Sequence, residues 1–428
     1  MVDCDPKPDR RLVLKIADTQ EELEGCFRLL HDAYVAAGFM TPHPSGMRVT
    51  PYHSLPTTTT LCAKIDGRVV GTLSLVRDGV FGFPMQSAFN LSSVRSKVGQ
   101  IAEISALAIH PSCRDTGGQV LFPLMKFMYA YCTKYFDTRH LVIAVNPDKI
   151  ELYESLLFFD RLPARVVDHY DFANGAPAVG AALDLHHALK EFQLAYGTKP
   201  QRRNLYSYFV EVRLENIQLP ARPYHTTNDP VLTPALIDHF FNRCTRVFDS
   251  LDDRRKALVR SIYDLPGYEQ VMPDVSGLDR IALRRHPRFS VRCPALFKPS
   301  LGHGGLAVDL TLVELSRHGF RAEVVNSLGI GVAGSVRIEL GAGRQSQLKV
   351  HTVRTTTSGT LQYLSCRVDA PDEAWLQCVL ALERSQTRAD LIALTGKADG
   401  QSERAAERGD QIVVAALMLG QTWSSSDY

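Results

Sequence analysis

The chain has 428 residues, 45% of them hydrophobic and 22% charged, which is ordinary for a globular protein of two or more domains. Its formal net charge of +2 is too small for bulk binding of a nucleic-acid polymer. No apolar run is long enough to span a bilayer, and the N-terminus MVDCDPKPDRR has no apolar signal core. The nine cysteines are scattered without a C-x-x-C pair, which favours reduced thiols in a cytoplasmic protein and predicts no metal site.

Changes in sequence pattern divide the chain into two domains joined by a linker. Alternating strand and helix patterns over residues 11–265 predict an α/β domain, preceded by a flexible N-terminus at 1–10. Proline and glycine are frequent in 266–280, which predicts the linker. Short alternating runs over 281–385 predict a small all-β barrel, and the mixed, charged tail 386–428 shows no pattern that predicts a role.

The first elements of the α/β domain have clear local signals. Leu12–Ile16 has the pattern of a strand, and the helix that follows is predicted to have Thr19 as its N-cap, with Glu22 completing a capping box. Asp66-Gly67 between two apolar runs predicts a β-hairpin. The intervening segment Met40–Thr60 is rich in Pro, Thr, Ser and His, and we expect a mobile loop that closes over an acyl chain.

The most informative stretch is Lys97–Phe136. It opens with an apolar run that contains Glu103 and predicts a strand buried on both faces, which His110-Pro111 ends because proline cannot join a ladder. The basic, glycine-rich loop Arg114–Gln119 then leads into an apolar helix, Val120–Tyr135. Free N–H groups at a helix start favour anions, so this loop is predicted to bind phosphate.

The rest of the α/β domain continues with further strands and helices. The periodicities predict a strand at Arg139–Val145, helices at Lys149–Phe159 and Ala181–Tyr196, a strand at Tyr206–Leu214 and a helix over Thr233–Asp264.

Three segments, taken in order, resemble one branch of the GNAT acyltransferase superfamily. They are Gly71–Asp78, Gly82–Met85 and Gly99–Ile109, and they are similar to the FeeM-like long-chain N-acyl amino acid synthases, which are related to the acyl-homoserine-lactone synthases. The resemblance implies a GNAT fold and transfer of an acyl group from acyl carrier protein to a small amine. Gln119 stands where the superfamily usually has Gly or Ala, which also favours the carrier protein over coenzyme A.

The resemblance and the chemistry of acyl transfer together assign catalytic roles. An amine is mostly protonated near neutral pH, so a base is needed, and Glu103 is expected to serve with a pKa raised by burial. Tyr153 matches the tyrosine that protonates the leaving thiolate in many members, although it also fits the pattern of a core aromatic residue with a wet hydroxyl. The backbone N–H groups of Leu107 and Ala108 are expected to bind the oxyanion.

The acyl donor is expected to lie along the end of the strand and the glycine loop. The resemblance places its phosphopantetheine at Ile109, Arg114, Gly117 and Gly118, with no tightly bound cofactor. The charges of Lys126, Lys134 and Arg139 are expected to contact the acidic carrier protein.

The C-terminal domain has the pattern of a barrel. Strands are predicted at Phe289–Phe297, Leu306–Leu315, Phe320–Val325, Ser335–Leu340, Leu348–Val353 and Leu361–Asp369, followed by a helix at Glu373–Arg384.

Two motifs in this domain resemble the PilZ domain. Arg-x-x-x-Arg precedes the first strand, and Glu314 begins a [Asp/Asn]-x-Ser-x-x-Gly-like motif in which Glu replaces Asp or Asn. The resemblance implies that the domain binds cyclic di-GMP, because arginines fork onto phosphates and stack on guanine. The residues expected to bind it are Arg284, Arg285, Arg288, Glu314, Ser316 and Gly319.

These expectations combine into an N-acyltransferase regulated by cyclic di-GMP. One alternative is a cyclic di-GMP receptor whose GNAT-like half is a non-catalytic interaction module. Another is a transferase that uses coenzyme A and an amine other than an amino acid.

Overall fold

The computed structural model describes residues 4, 9–114, 116, 118–163, 166–263, 267–275, 289–300, 306–325, 328–358 and 361–383. Several predictions fall on residues outside these ranges. They concern Gly117, residues 266 and 276–280 of the linker, the arginines Arg284, Arg285 and Arg288, and the tail 386–428.

Strands and helices alternate in the first part of the chain and strands dominate the second. The strands are β1 (Leu12–Ile16), β2 (Thr58–Ile65), β3 (Arg68–Arg77), β4 (Gln100–Ile109), β5 (Thr138–Val145), β6 (Asp160–Arg161), β7 (Val167–Tyr170), β8 (Ala176–Asp184), β9 (Phe289–Pro299), β10 (Val308–Ser316), β11 (Gly319–Val324), β12 (Ala333–Gly341), β13 (Arg344–Ser358) and β14 (Leu361–Ala370). The helices are α1 (Gln20–Ala36), α2 (Ser92–Arg95), α3 (Leu121–Phe136), α4 (Pro147–Leu157), α5 (Leu185–Tyr196), α6 (Pro234–Ile237), α7 (Asp253–Ile262) and α8 (Glu373–Glu383).

The first domain is a mixed sheet with helices on both faces. Its strand order is β1-β2-β3-β4-β5-β8-β6, with β7 also paired to β8. Helices α3 and α5 pack on one face and α1 and α7 on the other, so β4 at the centre is covered on both sides as its sequence predicts. In the part of the chain that the structure describes, no helix is both long and apolar enough to cross a membrane.

Local signals predicted the beginning of this domain well. The predicted hairpin at Asp66-Gly67 is confirmed. The predicted end of the central strand is also confirmed, since β4 ends at Ile109, directly before His110-Pro111. The Thr19 hydroxyl caps α1 by accepting from the Glu22 amide at 3.2 Å. The other half of the capping box is wrong, because the Glu22 carboxylate instead accepts from the ammonium groups of Lys15 and Lys64.

Three later predictions are wrong in part. The predicted strand Tyr206–Leu214 is a π-helical turn, Ser207–Glu211. The predicted helix Ala181–Tyr196 begins four residues late, since Ala181 to Asp184 complete β8 and the Asp184 carboxylate caps α5 by accepting from the His186 amide at 3.0 Å. The long helix predicted over Thr233–Asp264 is broken into α6, a π-helical turn and α7.

The second domain is a closed six-stranded barrel. Its strands follow the order β10-β11-β14-β13-β12-β9, and all six predicted strands and the final helix are confirmed. Alternate strand residues point inwards, and the fully buried Trp375 of α8 joins this barrel core.

A segment before the barrel joins the two domains. The His225 amide donates to the Leu340 carbonyl of β12 at 2.8 Å, and the Arg292 amide of β9 donates to the His225 carbonyl at 2.9 Å. The Arg292 guanidinium also pairs with Asp137, at the end of α3, at 3.0 Å. The barrel therefore contacts the α/β domain through backbone pairing and through an ion pair.

Candidate active site

The central strand β4 is irregular at Ala106. This residue has a φ of 53°, in the left-handed region that a residue with a Cβ rarely adopts. The register against β3 shifts at the same point, since Ala108 faces Thr72 whereas Ser105 faces Ser74. This is a β-bulge, and local strain of roughly 1–3 kcal/mol at such a position is typical of functional sites.

Strand β4 also separates from its parallel neighbour near the bulge. Its pairing with β5 ends at Glu103, opposite Val142, although both strands continue beyond that pair. The gap between the two strands therefore opens beside Glu103, just before the bulge.

The bulge also decides which backbone amides face this gap. The His110 amide donates to the Val70 carbonyl of β3 at 2.8 Å. In an antiparallel ladder alternate residues bond to the partner strand, so the Ala108 amide faces β3 and the Leu107 amide faces away from it. This geometry favours Leu107 over Ala108 as the predicted oxyanion donor.

Glu103 is buried without a counter-ion. The residue is 2% exposed, and its carboxylate accepts a hydrogen bond from the Met85 amide at 3.0 Å. No basic side chain of the described residues forms a salt bridge with it. Burial raises the pKa of Glu103 to about 8, and the Met85 hydrogen bond only partly offsets this effect.

Asp229 shows what a structural buried carboxylate looks like in the same chain. It accepts from Arg77 at 3.1 Å and also from Arg222, Thr59 and Tyr131. The two guanidinium groups hold the pKa of Asp229 below its usual range despite burial. A buried acid that lacks such partners, as Glu103 does, is a candidate for catalysis.

A polar chamber lies on the Glu103 face of β4. Ser105 shares this face with Glu103, because alternate residues of a strand point the same way. Ser105 and Ala106 border a cavity of about 10 Å³ together with Arg48, Tyr52 and other residues. Burial and, after it, a charged Glu103 raise the pKa values of Tyr52 and Tyr170. Burial also raises the pKa of Tyr34, where Arg48 opposes this effect and Glu103 adds to it.

An apolar cavity lies on the opposite face of β4. It measures about 60 Å³ and is lined by Ile104 of β4, by residues of α3 and α5, and by Phe209 and Val210 of the π-helical turn. Ile104 follows Glu103 directly, so the two side chains point to opposite faces of the sheet. The chamber and the apolar cavity are therefore separated by β4, with the β4–β5 gap beside them.

The loop Met40–Thr60 does not lie where it was expected. We predicted that it would close over an acyl chain, but none of its residues lines the apolar cavity. Arg48, Tyr52 and His53 instead form walls of the polar chamber. These loop residues follow no periodic pattern that would predict their position, because it depends on the face of the sheet on which the loop packs.

Tyr153 lies on α4 and is half-buried. Its ring packs edge-on against Phe159 with ring centres 5.9 Å apart. Burial, and secondarily the nearby Tyr34, raise the pKa of Tyr153. Because Tyr34 also interacts with Glu103, all three side chains belong to one region of the molecule.

The predicted phosphate loop connects β4 to α3. The exposed Arg114 donates from Nε to the Ile109 carbonyl at 3.0 Å. Gly118 has a φ of 93°, and a Cβ there would lie 2.5 Å from the Phe122 ring, so only glycine fits this turn.

The expected role of Lys126 in binding a carrier protein is wrong. This lysine is buried, and its ammonium donates to the carbonyls of Tyr208 at 2.6 Å and Phe209 at 3.0 Å. Burial lowers its pKa to about 8. Of the other two cations, Arg139 pairs with Asp184 at 3.2 Å, and Lys134 lies over the Tyr135 ring.

Three of the residues predicted to bind cyclic di-GMP, Glu314, Ser316 and Gly319, lie in the hairpin of β10 and β11. Glu314 lies beside an irregularity of β10, opposite Arg321. The Ser316 hydroxyl donates to the Gly319 carbonyl at 3.1 Å and closes the turn between β10 and β11. A Cβ at Gly319 would lie 2.5 Å from the Cys366 carbonyl, so this position also requires glycine.

The α/β sheet domain is followed by the closed all-β barrel. Residues 25–184 match the model of one family, described as N-acyl amino acid synthase FeeM. The match runs from α1 to the end of β8 and includes Glu103, the bulge and the glycine loop.

Several solved structures are similar to part of this chain. FeeM, an N-acyl amino acid synthase from uncultured soil microbes, is 27% identical, covering 43% of this chain and 97% of that chain with a TM-score of 0.36. The CoA-dependent acyl-homoserine lactone synthase BjaI is 19% identical, covering 44% and 91% with a TM-score of 0.33. A GNAT-family acetyltransferase from Streptococcus pneumoniae is 12% identical, covering 40% and 98% with a TM-score of 0.29. No curated protein matches the chain at a significant level.

Proposed function

We propose that this protein is an N-acyltransferase that moves a long-chain acyl group from a thioester to the amine of an amino acid or a similar small amine. The observation that carries the proposal is the arrangement around β4. A buried, unpaired Glu103 faces a polar chamber, Ile104 lines an apolar cavity, and the strand separates from β5 between them. The family match over residues 25–184 supports the same chemistry.

The proposed reaction uses groups that lie along β4. Glu103, with a pKa of about 8, accepts a proton from the amine. The amine nitrogen attacks the thioester carbonyl carbon, and the Leu107 amide stabilises the resulting oxyanion. The C–S bond then breaks, and the Tyr153 hydroxyl gives its proton to the leaving thiolate. The second proton that the nitrogen loses as the amide forms returns to the Tyr153 oxygen, and the first leaves Glu103 for solvent.

We propose acyl carrier protein as the donor in preference to coenzyme A. Its phosphopantetheine would follow Ile109 and the loop with Arg114, Gly117 and Gly118, and its acyl chain would enter the apolar cavity. The exposed guanidinium of Arg114 supports this placement, since it is available for a phosphate.

Activity with two matched donors tests the proposal. The full chain is incubated with amino acids and with acyl carrier protein or coenzyme A bearing the same long acyl chain, and mass spectrometry detects N-acyl products. We expect a higher kcat/KM with the carrier protein and a decrease at high salt, because carrier docking is steered by charge. A preference for acyl-coenzyme A would overturn the choice of donor. Absence of N-acyl product with both donors would overturn the function and favour a non-catalytic module.

We also propose that the barrel binds cyclic di-GMP and that binding changes the acyltransferase rate. Glu314, Ser316 and Gly319 lie together in one hairpin. Arg284, Arg285 and Arg288 directly precede β9, whose backbone pairs with the segment at His225. A ligand held by both groups would act next to the contact between the domains.

Titration of the full chain with cyclic di-GMP tests this second proposal. Arg288→Ala is expected to weaken binding about tenfold or more, because one charge-assisted contact contributes roughly 1.5–3 kcal/mol. Arg354→Ala, an exposed arginine on β13, is the matched control and should bind normally. If the wild type releases or absorbs no heat on titration with cyclic di-GMP, the proposal that the barrel binds this nucleotide is wrong. A bound nucleotide that leaves the acylation rate unchanged would show two domains that are tethered but not coupled.

A further inference from the structure

Arg48 is held firmly at the edge of the polar chamber. Its guanidinium carbon lies 4.1 Å from the centre of the Tyr34 ring and 5.0 Å from that of Phe172. One of its terminal nitrogens donates to the Phe172 carbonyl at 2.7 Å. The side chain also lines the cavity that Ser105 borders, and its contacts with Tyr34 and Phe172 fix its position there.

The charge of Arg48 is not neutralised by the protein. Among the described residues no carboxylate forms a salt bridge with it, and its partners are the Tyr34 side chain, the Phe172 ring and the Phe172 carbonyl. Arg77 and Arg222, the buried arginines on the other side of the domain, share the carboxylate of Asp229. A desolvated guanidinium without an anion is costly, which makes the edge of Arg48 that faces the cavity a site for an anionic ligand.

A second group that lacks a partner is Tyr170, whose ring lies 6.0 Å from that of Phe172, a residue that lines the chamber. Tyr170 is 4% exposed, and its buried hydroxyl has no hydrogen-bond partner within the ranges that the structure describes. Both Glu103 and Arg48 interact electrostatically with this phenol. An acid, a cation and an unpartnered hydroxyl therefore belong to one region, beside the cavity that Arg48 lines.

We propose that Arg48 binds the carboxylate of the acceptor amino acid while the amine of the same molecule faces Glu103, which makes Arg48 a specificity-determining residue. The inference rests on the proposed N-acyltransferase function. An α-amino acid carries its amine and its carboxylate on one carbon, so it matches a chamber with a base and a cation that are not paired with each other. The Tyr170 hydroxyl is placed to donate to the same carboxylate.

The consequence is a selection among amines by their charge. An amino acid amide keeps the nucleophilic amine, but it has no carboxylate to accept the bidentate, charge-assisted hydrogen bonds of Arg48. Sites that leave a buried polar group unpaired reject such analogues more strongly than apolar pockets reject a change of size. Arg48 then acts on acceptor binding, and Glu103 acts on the chemical step.

The test compares amino acids with their own amides. The full chain and a long-chain acyl donor that it uses are assayed with leucine and leucinamide and with tyrosine and tyrosinamide. Arg48→Gln should raise the KM for the amino acid at least tenfold and leave the KM for the amide within about twofold, with kcat little changed. Arg48→Lys should retain part of the preference. For each variant, the ratio of the KM for the amino acid to the KM for the amide is compared with the same ratio in the wild type. The different basicity of the two amines therefore cancels.

Arg28→Gln is the matched control. Arg28 donates to the Ser45 carbonyl of the same loop but lies on the exposed side of α1, outside the chamber. This variant should keep the wild-type preference.

The possible outcomes separate the two levels of the argument. Equal losses with the amino acid and the amide in Arg48→Gln would mean that Arg48 only supports the fold, and the proposal would be overturned. A wild type that acylates both acceptors equally well would also overturn it while leaving the acyltransferase function intact. If Arg48→Gln does not fold, Arg48→Lys decides. The proposal would be overturned if this variant had the wild-type KM for the amino acid and the wild-type preference for the amino acid over its amide. A wild type that acylates no amine would refute the proposed function itself.

Discussion

The buried acids Glu22, Asp229 and Glu103 differ in whether a cation pairs with them. Glu22 lies between Lys15 and Lys64, which hold its pKa at about 2 in spite of desolvation. Asp229 lies between two arginines. Glu103 has no such neighbour and its pKa rises to about 8. The first two stabilise the fold, whereas Glu103 is the residue whose protonation can change near working pH.

Glu103→Gln is expected to lower kcat by roughly 100-fold or more, the usual size of a general-base contribution. In the wild type, kcat/KM should rise with pH up to about 8, as the carboxylate loses its proton, and the variant should lack this rise. The measurement is steady-state kinetics from pH 6 to 9. Glu151→Gln on the exposed face of α4 is the control. Unchanged turnover with both substrates saturating would remove Glu103 from the mechanism.

The same substitution should change the pH dependence of stability. The folded-state pKa of Glu103, about 8, lies above the unfolded value of 4.5, so its stabilising effect is complete below pH 4.5 and is lost as pH rises through 8. Glu103→Gln keeps a neutral group at all pH values. It should therefore be more stable than the wild type at pH 9 in urea unfolding.

At the scale of elements, β4 and α5 together shape the proposed donor side. The bulge turns the Leu107 amide towards the gap, and α5 contributes Ala188, Leu189 and Phe192 to the apolar cavity. Ala188 is the small residue of this wall. The space in front of its methyl group is therefore expected to limit the length of acyl chain that enters.

Ala188→Phe is expected to reduce kcat/KM for long-chain donors about tenfold and to spare short-chain donors, because the larger ring fills part of the cavity of about 60 Å³. A series of acyl donors of increasing chain length measures the effect. Leu194→Phe enlarges a residue on the same helix that is 79% exposed, and it should leave the series unchanged. Equal losses at all chain lengths in Ala188→Phe would contradict the placement of the chain.

At the scale of the whole molecule, a buried ion cluster fixes the segment that joins the domains. Arg77 of β3 and Arg222 share Asp229, and both guanidinium groups stack on Phe136 of α3. Between Arg222 and Asp229 the chain pairs with the barrel through His225. The cluster therefore holds the barrel-contacting segment against the sheet of the α/β domain.

Asp229→Asn should lower the free energy of unfolding by about 3–5 kcal/mol, because it leaves two buried arginines without their anion. Urea unfolding of the full chain measures the loss. Asp249→Asn removes an exposed carboxylate that pairs with Arg246, and it should stay within about 0.5 kcal/mol of the wild type. A loss as small as that in Asp229→Asn would show that the cluster does not anchor the segment.

Much of the fold follows from local signals in the sequence. The hairpin at Asp66-Gly67, the strand that ends before His110-Pro111 and all six barrel strands were predictable, because turn residues and alternation act over a few positions. Glu103 was also predictable as a site residue, since an acid inside an apolar strand is conspicuous. The π-helical turn at Ser207–Glu211 was not, because a lysine of α3 binds its carbonyls.

Local sequence patterns were enough to predict the α/β sheet, the barrel, the central strand and the acid within it. The pairing of charges followed instead from how distant segments pack together. Nothing local to Lys126, Asp229 or Arg48 predicts that the first is buried against carbonyls, the second lies between arginines and the third has no anion. The physical reason is that burial and pairing of a charge depend on the segments that pack around it, and those segments are distant in the chain.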